Sequence, residues 1–175
     1  MTAPPDLLPI LFGHNLWATR LLLERSRELS EEQFHRRFEI GPGSIHDTLR
    51  HIVGAMLRWA DRIGGRTVRP SIEKNGRAYS VDEVAALLVQ GDAELRAVGD
   101  KLTAEDRWTE IMEFAVPEGT WRFTRAAAMA HVLAHGVHHR AQVLNMRRQL
   151  GLPPLGYDLD VVEWECVETG QMPLE

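Results

Sequence analysis

Cysteine is almost absent from this chain: Cys166 is the one thiol in 175 residues. A single thiol excludes an internal disulfide framework, a CxxC redox pair and a zinc site of clustered cysteines. A reducing, cytoplasmic compartment is therefore the simplest expectation. Long hydrophobic runs are missing as well. The longest uncharged stretches, Leu7 to Thr19 and Ala126 to His139, fall short of the roughly 20 residues a membrane span needs, and the second holds four histidines. Positive charge is not in excess, with 20 Lys and Arg against 25 Asp and Glu and a net charge of −5. That balance lacks the dense basic face of a nucleic-acid binder. The opening residues carry no basic start or cleavable apolar run, so secretion is not expected. Glycine-rich phosphate loops and the G-x-S-x-G nucleophile elbow are also missing.

What is present is an ordinary globular composition, 44% hydrophobic and 26% charged, expected as a single domain over residues 1–175. A chain of this length buries roughly 70% of its unfolded surface, so a core forms without a structural metal. Helical periodicity dominates. A first long helix is expected from Leu7 to about Leu29, and the capping box Ser30 to Gln33 opens a short second piece that ends near Gly41-Pro42-Gly43. Ser44 and Asp47 restart a helix that runs to about Gly64, with Ile45, Leu49, Ile52, Val53, Met56, Ala60 and Ile63 on one stripe. Residues 65–79 read as a crossover loop, after which the capping box Ser80 to Glu83 opens a helix to about Leu102. Trp108 to Phe123 alternates around Pro117-Glu118-Gly119 as a small hairpin or an irregular connector. Thr124 caps a helix from Arg125 to Leu150 that stops at Gly151, and a short helix from about Leu159 to Glu168 follows. Four long helices without βαβ alternation predict an all-α four-helix bundle with short accessory helices.

The chemistry concentrates in His131, His135, His138 and His139. An advance of about 100° per residue puts His135 and His139 one turn apart on one helix face, a usual way to present two imidazoles to a transition metal. His131 and His135 form a second such pair, which keeps His131 in reserve, and His138 points to the outer side as a supporting or solvent residue. Alanines around the cluster leave open volume. The glutamate of H-E-x-x-H proteases is missing, and the one Glu-x-x-His unit, Glu32 to His35, sits in a short connector, against a di-iron bundle. A third ligand is expected from the second long helix, where the helical wheel favours neither His46 nor His51 strongly. His51 shares a flank with Thr48, Ala55 and Trp59.

Several motifs together are similar to one family. His14-Asn15-Leu16-Trp17-Ala18 resembles its opening Tyr-Asn-x-Trp-Ala. The run Ser44 to His51 resembles its Ser-Ile-x-x-x-Leu-x-His. His135 to Gln142 resembles its His-x-x-x-His-Arg-Gly-Gln, and Leu150 to Pro154 with Asp158 and Asp160 its C-terminal tail. The chain thus resembles, over nearly its whole length, the DinB-like family of bacterial metal-binding four-helix proteins. The resemblance implies His51, His135 and His139 as metal ligands and an up-down-down-up bundle with residues 65–79 as the crossover. It also implies a homodimer. Two positions depart from the family pattern: His14 stands for a tyrosine and Ala141 for a glycine.

Three neutral imidazoles leave a coordination position open, as in catalytic rather than closed structural sites, and zinc or nickel suits them. The expected function is a divalent-metal-dependent enzyme on a small-molecule substrate. By the resemblance it is S-transferase-like, with a low-molecular-weight thiol cosubstrate. The alternatives are metal-dependent hydrolysis by activated water and a non-catalytic, stress-related metal-binding bundle. Asp160, Glu163 and Glu165 are acid or base candidates whose simpler reading is a solvated face. Trp17, Trp59, Trp108, Trp121 and Trp164 read as core or interface residues, and Cys166 as a small buried filler.

Overall fold

The computed structural model describes residues 7–171, which are mostly helical with one two-stranded antiparallel sheet. In chain order these residues form α1 (Leu7–Ser26), α2 (Glu31–His35), α3 (Ile45–Ile63), α4 (Val81–Ala104), β1 (Ile111–Val116), β2 (Gly119–Thr124), α5 (Arg125–Gln149) and α6 (Val161–Thr169). Among them no helix is long and apolar enough to cross a membrane.

Local chemistry explains most of the boundaries. Ser30 and Ser80 each accept a hydrogen bond from the backbone N–H three residues on, while the Gln33 and Glu83 side chains accept one from the cap N–H, so both capping boxes are complete. Asp160 and Glu163 form a third box at the start of α6. The Ser44 hydroxyl accepts from the Asp47 N–H at 3.0 Å, and Thr124 Oγ1 from the Ala127 N–H at 3.1 Å. α1 stops at Ser26, three residues before the sequence expectation. The Ser26 hydroxyl bonds back to the Leu22 carbonyl at 2.7 Å, and the next two backbone bonds span three residues, a turn rather than a helix. Residues 111–124 resolve as a hairpin in the register Phe114↔Trp121 and Met112↔Phe123.

The chain divides into two compact units, one from the described parts of Met1–Leu49 and Gly136–Glu175, the other Arg50–His135. In the first, the C-terminal tail is tied to α1. Buried His14 donates from Nε2 to the Leu159 carbonyl at 2.8 Å, and the Trp17 and Tyr157 rings meet edge to face at 5.6 Å. Leu159 is left-handed at φ 65°, a costly conformation for a branched residue, and the His14 bond helps to hold it there. This gives the histidine that departs from the family tyrosine a structural task. Arg140 of α5 is buried against α1, donating to Asn15 Oδ1 at 2.7 Å and Thr19 Oγ1 at 3.2 Å.

In the second unit the crossover is held by charge. Buried Asp61 of α3 accepts two bonds from the Arg69 guanidinium, at 2.6 and 2.7 Å, and one from the Arg69 N–H at 3.1 Å. Arg66 donates to Asp61 at 3.2 Å and to Glu94 of α4 at 3.0 Å, so one network fastens α3, crossover and α4. Trp59 stacks on Phe114 at 5.7 Å and 21°, which seats the hairpin on α3.

Candidate metal centre

The centre begins with two histidines of the second unit. His51 lies in α3, whose apolar stripe is buried and leaves this residue half-buried on the flank. His135 lies near the middle of α5 and is also half-buried. Their Nε2 atoms face each other at 2.9 Å, with ring centroids 4.8 Å apart.

The opposite nitrogen of His51 is also held, donating from Nδ1 to Glu73 Oε2 at 2.7 Å. Burial pushes the Glu73 carboxyl up. The hydrogen bond and charge from His51, the charge of Arg58 and the Ser71 hydroxyl outweigh it and leave the group below the ordinary carboxylate value. A carboxylate accepting at Nδ1 keeps the proton of His51 on that side of the ring and leaves Nε2 as the nitrogen facing His135. Carboxylate–histidine pairs of this kind orient metal-binding imidazoles and raise their basicity.

His139 follows His135 by one turn of the same continuous helix, and its Nδ1 donates to Gln142 Oε1 at 2.8 Å, leaving its Nε2 as the ligand nitrogen. Gly41, left-handed at φ 50°, makes room for that glutamine. A Cβ there would lie 2.0 Å from Gln142 Oε1. The family resemblance implies His139 as the third ligand beside His51 and His135. The donor set fits: three neutral imidazoles, with no thiolate or carboxylate among them, suit zinc, nickel or copper.

The remaining candidates have other work. His46 is buried, its ring 5.2 Å from Phe34 and 4.5 Å from His35, with Nδ1 3.2 Å from Asp47 Oδ1. His138 is exposed and lies 3.0 Å from the Gln142 amide. His131 is exposed, its ring 5.8 Å from that of His135 and 5.2 Å from Trp59. Arg140 is buried. Its guanidinium lies beside α1, and burial pushes its pKa down to about 10. Gly136 makes that contact possible, since a Cβ there would meet Asn15 Oδ1 at 2.4 Å. Ala141, which stands for the family glycine, is exposed, so it obstructs no close approach. Asp160 and Glu163 are engaged in capping α6. Cys166 is half-exposed rather than buried, because α6 has no fully buried residue.

Glu73 is the site residue that sequence reasoning misses. It lies in the irregular crossover, at no periodic spacing from any histidine, and only the path of the loop brings it to His51.

Three comparisons bear on the whole chain. The family model described as "DinB family" matches residues 5–171. The chain is 24% identical over 146 residues to Protein DinB of Bacillus subtilis (strain 168), a match that covers 81% of this chain and 84% of the relative. The crystal structure of a DinB-like protein from Bacillus cereus ATCC 10987 superposes with a TM-score of 0.57 at 19% identity, covering 80% of this chain and 88% of that one.

Proposed function

The chain belongs to the DinB family, and from that premise we propose a divalent-metal-dependent enzyme in which His51, His135 and His139 hold a zinc or nickel ion. In this reading the centre activates a small thiol for attack on an electrophilic small molecule. The working architecture is the up-down-down-up bundle, cytoplasmic and homodimeric, that the family resemblance implies.

The observation that carries the reading is the His51–His135 pair, with ligand nitrogens 2.9 Å apart while Glu73 holds the far side of His51. Supporting it, metal-ligating histidines characteristically donate their outer N–H to a carboxylate, as half-buried His51 does to Glu73. When bound, a divalent ion with three imidazole ligands supplies an open coordination position and a charge that favours the deprotonated form of a thiol or water. The chain's own part is orientation. Glu73 accepts a hydrogen bond from His51 Nδ1 and Gln142 one from His139 Nδ1, which assigns Nε2 of each ring as the ligand nitrogen.

The test is metal content by mass spectrometry on untagged protein, followed by a conjugation screen with bacterial low-molecular-weight thiols. The wild type is expected to hold about one equivalent of metal, as a single three-ligand site requires, and His51→Ala and His135→Ala to lose it. A wild type that cannot be loaded overturns the centre. A loaded protein that hydrolyses esters with no thiol present overturns the thiol step and favours hydrolysis.

A further inference from the structure

Beside the histidine pair, the second unit contains a cup of about 170 Å³ walled by Trp59, Phe114, Trp121 and Phe123. Ala127 and Ala128 of α5 form the rest of the wall, and His131 stands at its edge. Sequence reasoning assigns these tryptophans to a core or an interface. Here the rings of Trp59 and Trp121 line a cavity.

Three features say what belongs in it. The first is size: the cup is close to the roughly 150 Å³ of an engineered apolar cavity that takes up one benzene. The second is the hairpin register. Trp121 is directly opposite Phe114, so both side chains rise from the same sheet face as Phe123, which is diagonal to Phe114. Yet Trp121 is 62% exposed, a large aromatic on the inward face that the described residues leave uncovered. The third is position. His131, which lines the cup, has its ring 5.2 Å from Trp59 and 5.8 Å from His135, so the cup lies within one imidazole of the histidine pair.

We infer that this cup binds the single aromatic ring of the small-molecule substrate, with the ring's reactive substituent directed past His131 toward His51 and His135. The inference deepens the metal-centred reading and rests on it for the word substrate. The cup itself is testable without metal. Aromatic walls favour a planar apolar ring through offset and edge-to-face contacts, and the alanines leave room for it. The imidazole of His131 is the polar group nearest the exit toward the histidine pair.

The probe is fluorobenzene, followed by fluorine NMR on the full chain, both after chelator treatment and after zinc loading. Saturable binding is expected in both samples. Ala127→Leu fills the cup from an exposed helix position and is expected to weaken binding at least tenfold, and Trp121→Ala to weaken it severalfold. Both sites are solvent-exposed, and thermal melting checks that each variant folds. No saturable binding by the wild type, or wild-type affinity in Ala127→Leu, overturns the cup. Metal uptake measured on the same samples reports separately on the centre, so a failed centre with an intact cup is distinguishable from the reverse. If the thiol chemistry holds, Ala127→Leu lowers kcat/KM for a benzyl electrophile while sparing a methyl one. Equal loss for both overturns the substrate assignment.

Discussion

The residue that most changes the view of the centre is Glu73. A histidine pair alone is ambiguous, because two neutral imidazoles at hydrogen-bond distance also satisfy each other. The carboxylate at 2.7 Å adds a second observation, since it holds the proton of His51 on Nδ1, the form in which Nε2 can act as a ligand. Replacing it with glutamine keeps a neutral acceptor and removes the charge. Glu73→Gln is expected to weaken zinc affinity about tenfold, the lower end of the effect of removing such supporting partners. Competition with a chromophoric chelator reads this directly. Unchanged affinity would mean that Glu73 does not set the ligand form of His51. Gln142, holding His139 at 2.8 Å, plays the corresponding part with a neutral acceptor.

Among the elements, α4 shows how far local rules go. Its start is written in Ser80 and Glu83, which bond each other's backbone at 3.2 and 2.9 Å. Ser80→Ala removes one half of this box and is expected to cost about 1 kcal/mol in urea denaturation. A change of only a few tenths would mean that packing alone holds the start of α4. The hairpin is the opposite case. Its alternation is readable as a strand pair or an irregular connector, and the choice falls to its packing, with Phe114 stacked on Trp59 and Phe123 beside the same indole. Two-stranded hairpins are marginal alone and need such a surface.

At the scale of the whole molecule, two buried groups contribute at different pH to the response to acid. His14 is held below its ordinary value of 6.5 chiefly by burial, with Arg140 lowering it further and the Leu159 bond and Asp160 opposing. Protonation therefore favours the unfolded chain. This contribution is complete above about pH 6.5 and is withdrawn as the pH falls from there through the lowered value. Asp61 is held at about 2 by the hydrogen bond from Arg69, and its contribution is withdrawn only as the pH falls from 3.8 toward that value. Thermal melts across pH are thus expected to fall in two stages. His14→Gln flattens the first stage and leaves the second. Asp61→Asn costs about 3 kcal/mol at neutral pH, because Arg69 loses its buried partner and keeps only Glu94, and it reduces the second stage. A wild-type profile flat from pH 7 to 5 would contradict the first assignment.

The sequence by itself determined the order and nature of the helices, since capping boxes, apolar stripes and glycine stops act within a few residues of one another. It determined equally that His135 and His139 share a face, because one helical turn suffices for that. Between His46 and His51 the wheel is nearly indifferent, and the family resemblance points to His51. The tertiary structure shows why each histidine has its own place: His46 packs under Phe34 and His35, while His51 meets His135 and Glu73. Only tertiary structure decided the Glu73 partnership, the burial of Arg140 beside Asn15, and the aromatic cup next to His131. Each of these joins residues far apart in the chain through loops without periodicity, and side-chain pairing across such distances leaves no local pattern to read.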